Sequence, residues 1–150
     1  MAFEYEESLF RTGQLPGERL PDVAIAMMLA GFDSQAVREL AGLVKPTIRE
    51  AGELFEAAIA TLGRAPLSEA QAVASLRDRA LRRIISGEVT PIDGTADVSR
   101  VWRMLGCPEE LTEIIYLQDL WDERPFERAA IEREIVETAQ RLVAPHSPVA

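Results

Sequence analysis

The chain has 150 residues, 47% of them hydrophobic and 6% aromatic, which is the balance of an ordinary soluble domain with one core. Sixteen basic residues stand against 25 acidic ones, a formal net charge of −9 with a pI near 4.7, so any mechanism that relies on long-range attraction to nucleic acid or anionic lipid starts at a disadvantage. One Cys and one His exclude, within a single chain, a disulfide framework, a Cys/His zinc site and a di-iron site built on repeated Glu-x-x-His.

Residues 1–20 hold Gly13, Pro16 and Gly17 among charges without a sustained helical period. They are expected to form an irregular arm whose Phe3, Tyr5, Leu9 and Phe10 pack onto the body. The segment Met1 to Glu7 is acidic where a secretory signal needs positive charge, and no apolar h-region follows, so the expected location is the cytoplasm. A helical domain is expected over 21–144, with a tail at 145–150.

Pro21 suits the first turn of a helix that Gly31 stops, which predicts helix one over about 21–30. Its run from Val23 to Ala30 is far shorter than the roughly 20 residues that span a bilayer, so it reads as a buried helix. Ser34 caps a second helix that Gly42 ends, and Thr47-x-x-Glu50 opens a third that lasts to Gly63. On that third helix Leu54, Phe55, Ala58, Ile59 and Leu62 share one face. Ser68-x-x-Gln71 opens a long fourth helix carrying Ala72, Leu76, Ala80, Ile84 and Ile85 as far as Gly87.

Thr90-Pro91 opens the next helix, with Val98, Val101, Trp102 and Leu105 inward and Gly94 weakening its first turn. Cys107-Pro108 starts another, bearing Leu111, Ile114, Ile115, Leu117, Leu120 and Trp121. Pro125 begins the last, with Ile131, Ile135, Val136, Ala139, Leu142 and Val143, halted by Pro145. No strand-like alternation persists, so the fold class is all-α: a single-domain bundle of about seven helices with short loops.

Nucleophilic catalysis needs a nucleophile held beside a base. His146 lies in the tail, and Cys107 reads as a helix-cap or partly buried residue, so no catalytic residue is assigned. Paired carboxylates offer a metal-dependent alternative, with Glu53 and Glu56 on one helix and Asp119 and Asp122 on another as oxygen donors for Mg²⁺. That pattern is similar to the acidic pairs of all-α nucleotide pyrophosphohydrolases, but here the pairs are far apart in the sequence and Glu50 is already used in a cap.

Val37 to Leu43 followed by Thr47 to Glu50 has a helix-turn-helix rhythm. Its second helix offers a single Arg49 before Glu50, Glu53 and Glu56, which would repel duplex phosphates. The basic cluster Arg77, Arg79, Arg82 and Arg83 is expected to pair with acids such as Asp78 and those of adjacent helices. Trp102 and Trp121 read as core anchors. No motif calls for a cofactor.

Three segments carry a resemblance: Ala30 to Leu43, Ile84 to Pro91, and Leu117 to Pro125 with Arg128 beyond. Together they resemble a loose group of small bacterial all-helical proteins, some of them similar in general look to immunity proteins that cover a toxin's active site. The resemblance implies the fold and carries over no toxin-facing residue. The expected function is a non-enzymatic interaction module, immunity- or antitoxin-like, that binds a basic protein partner through an acidic face made by Glu109, Glu110, Glu113, Asp119, Asp122 and Glu123. The alternatives are the metal-dependent nucleotide hydrolase and a homo-oligomer assembled through the N-terminal arm.

Overall fold

The computed structural model describes residues 1–143; His146 and the expected tail lie outside them. Among the described residues the protein is all-α: α1 (Glu4–Arg11), α2 (Leu20–Leu29), α3 (Gln35–Ala41), α4 (Ile48–Ala60), α5 (Glu69–Ser86), α6 (Pro91–Met104), α7 (Glu109–Glu123) and α8 (Arg128–Val143). Short 3-10 turns at Gly17–Arg19 and Pro125–Glu127 lead into α2 and α8. No helix among these residues is long and apolar enough to cross a membrane. Among the described residues the chain divides within α5 into two compact units, the first ending at Ser75 and the second beginning at Leu76.

The helix starts follow from local chemistry. Ser34 Oγ accepts from the Val37 N–H at 3.2 Å. The Glu50 carboxylate takes the Thr47 N–H at 2.7 Å while Thr47 Oγ1 accepts from the Glu50 N–H at 3.3 Å, a reciprocal capping box. Ser68 and Gln71 repeat it at 2.9 and 3.1 Å, and Thr90 Oγ1 accepts from the Asp93 N–H at 3.2 Å. After α2 the chain turns at Gly31 with φ 93°, a left-handed conformation open to a residue without Cβ.

In the first unit, α2, α3 and α4 enclose Leu20, Ala24, Met27, Val37, Leu40, Ala51, Phe55, Ala58 and Ile59. Phe10 meets Phe55 edge to face at 4.8 Å between centroids, and Phe3 meets Phe32 at 5.9 Å. Gly17 touches the backbone of Pro46, Thr47 and Ile48 so closely that no Cβ fits between them. In the second unit, Leu81, Ile84, Val98, Leu111, Ile114, Leu117, Ile131 and Ile135 form the core, with Trp102 and Trp121 packed at its edge.

Four expectations need correction. The N-terminal arm is helical over Glu4–Arg11, because Glu7 at the middle of its inner face finds cationic and backbone partners. The expected buried helix α2, apolar apart from Asp22 in its first turn, buries one side only: Ile25, Met28 and Leu29 are exposed. Cys107 precedes α7 as an exposed residue with φ 61°, donating its N–H to Trp102 O at 2.8 Å, so it closes α6 while Pro108 caps α7. Gly94, read as a weak point, is where α6 presses on the Ile84 side chain, leaving no room for a Cβ.

Candidate functional site

Helix α7 carries six acids and no base: Glu109, Glu110, Glu113, Asp119, Asp122 and Glu123, all exposed. Leu111, Ile114 and Leu117 turn one side of it into the core of the second unit. The opposite side is read off at spacings of three and four: Glu109, Glu113, Tyr116, Asp119 and Glu123. At 1.5 Å per residue this stripe runs about 21 Å.

The six carboxylates divide by what surrounds them. Glu110 meets Arg77 at 3.4 Å, and Glu113 meets Arg141 at 2.9 Å. Glu109, Asp119, Asp122 and Glu123 have no ion pair among the described residues. Asp122 and Glu123 also occupy the last turn of α7, where the carbonyl end of the helix dipole opposes negative charge. Two acids thus stand where the helix dipole disfavours them, without a direct ion pair among the described residues.

Two aromatic side chains accompany this charge. Tyr116 is 58% exposed in the middle of the stripe, and Phe126 in the turn after α7 is fully exposed. The turn itself is tied down. Arg128 lays its guanidinium 3.7 Å from the centroid of Trp121 and donates from Nε to the Trp121 carbonyl at 3.1 Å. Arg124 donates its N–H to Leu120 O at 2.8 Å and reaches Glu127 at 3.4 Å.

The remaining candidates lie elsewhere. Glu53 and Glu56 are on α4 in the first unit, Asp119 and Asp122 on α7 in the second. Glu56 forms an ion pair with Arg11, whose pKa its carboxylate raises, and Glu50 is held in the capping box, where the Thr47 N–H and hydroxyl lower its pKa. Among the described residues no three His, Cys, Asp or Glu side chains gather where they could hold a metal ion. Of the basic cluster, Arg77 pairs with Asp78 and Glu110, and Arg83 with Glu88 and Asp97.

Tyr116 and Phe126 escaped the sequence reading. The signal for Tyr116 was present, since it falls opposite Leu111, Ile114 and Leu117 on the helical wheel. Phe126 stands beside Pro125 in a turn with no period to read. No family model, curated protein or solved structure matches this chain.

Proposed function

We propose that this chain is a non-catalytic interaction module that binds a basic protein partner through the outer face of α7. The observation that carries the reading is the set Glu109, Asp119, Asp122 and Glu123: exposed, unpaired among the described residues, and in part placed against the helix dipole. Such a face speeds encounter with a positively charged surface and discourages acidic partners. An immunity- or antitoxin-like inhibitor that covers a basic active site is the form of this function that the charge suits.

Affinity purification of the tagged chain from its native lysate, at low and at moderate salt, tests it. The expected result is a stoichiometric basic protein that is lost with the combined variant Glu109→Gln, Asp119→Asn, Asp122→Asn, Glu123→Gln. Recovery of no stoichiometric partner at either salt concentration, or equal recovery with the neutralised chain, overturns the reading.

A further inference from the structure

Phe126 is fully exposed on the Pro125–Glu127 turn, yet nothing about that turn is loose. Pro125 fixes its entry, the Glu127 N–H closes on Arg124 O at 3.0 Å, and Arg128 clamps the end of α7 through the face and carbonyl of Trp121. A phenyl ring presented this way has two side-chain torsions to immobilise and almost no backbone to order, the property of aromatic anchors in interfaces. Its sequence neighbours are three acids and two bases: Glu127 is paired with Arg124 and Arg128 is engaged by the Trp121 ring and carbonyl, which leaves Asp122 and Glu123 as the charges without an ion pair.

We infer that Phe126 is the anchor of the interface, inserting into an apolar pocket rimmed by Lys or Arg on the partner protein, with Asp122 and Glu123 meeting that rim. This rests on the reading of the chain as an interaction module. The charge selects the occupant: phosphates of a nucleic acid would be repelled by the same two acids, and a second copy of this chain, at net charge −9, would bring acid against acid. A Phe buried at the centre of a contact and surrounded by charged residues at its rim is the usual layout of a binding hot spot.

The test places the photoreactive residue p-benzoylphenylalanine at position 126 in cells, with the same residue at the exposed position 29 as the control. The expected result is an adduct to one protein at 126 and not at 29, at a peptide where apolar residues are flanked by Lys or Arg. With that protein purified, Phe126→Ser should weaken binding by roughly tenfold or more while the thermal melt of the chain is unchanged. No adduct at 126, an adduct to a second copy or to nucleic acid, or unchanged affinity of Phe126→Ser overturns the inference. If the affinity purification still recovers a basic partner that depends on the α7 acids, the anchor fails and the interaction module stands; if it recovers none, both fall.

Discussion

Glu7, with none of its side chain exposed, lies 2.5 Å from the guanidinium of Arg64, 57 positions along the chain. The same carboxylate accepts from the Leu67 N–H at 2.6 Å and from Arg11 at 3.3 Å, and Arg64 donates onward to Ala2 O at 3.0 Å. One buried acid therefore fixes α1 to the segment that leads into α5. A buried carboxylate is tolerable only with such a complete set of donors.

Removing that acid's charge leaves the part-buried Arg64 guanidinium without its carboxylate, while Arg11 loses one of two and keeps Glu56. Glu7→Gln should destabilise the chain by about 3 kcal/mol, since breaking a buried pair from one side leaves the other charge unpaired. Urea denaturation followed by circular dichroism measures it. A loss no larger than a surface substitution gives would show that the network contributes nothing to folding.

Acid should remove the support that Glu50 gives to α4. Its pKa is lowered in the folded protein by the Thr47 N–H and hydroxyl, so the contribution is fully present above the ordinary glutamate value and is lost as pH falls through the lowered one. Glu50→Gln should therefore be less stable than the parent at neutral pH, the gap closing in acid. Thr47→Ala, which removes the acceptor of the Glu50 N–H, should cost about 1 kcal/mol.

The two closely packed glycines should differ in how badly they accept a methyl group. At Gly94 the added Cβ meets Cγ1 of Ile84, a β-branched core side chain that yields only by repacking, so despite the gain in helix propensity the net loss should be about 2 kcal/mol. At Gly17 the obstacle is the backbone of Pro46, Thr47 and Ile48, which cannot yield, so Gly17→Ala should cost at least about 3 kcal/mol. Denaturant midpoints of the two variants rank them directly.

Arg128→Ala should loosen the corner after α7 by removing both the contact with the Trp121 ring and the bond to its carbonyl. A loss of about 1 kcal/mol is expected, with a red shift in tryptophan emission as water reaches the indole. Unchanged emission would mean that the ring is held by the core alone.

The capped helices were legible because Ser34, Thr47 with Glu50, Ser68 with Gln71, and Thr90 act within three residues of themselves. What could not be read depends on residues far apart. Glu7 occupies an inward position that periodicity reserves for apolar side chains, and the distant Arg64 and Leu67 are needed beside Arg11 to make that position tolerable. The Glu7/Arg11 spacing of four was the one local hint. The acidic face of α7 was visible as composition, whereas its aromatic members required the turn geometry.

The tie between positions 7 and 64 also sets an order of events. A chain leaving the ribosome has synthesised α1 long before Arg64 and Leu67 exist, so until the segment after α4 has been made Glu7 has only Arg11 of its own helix as a partner. Short amphipathic helices are marginal alone in water. The docking of α1 is thus a long-range event, closed across 57 positions of chain rather than within its own turn.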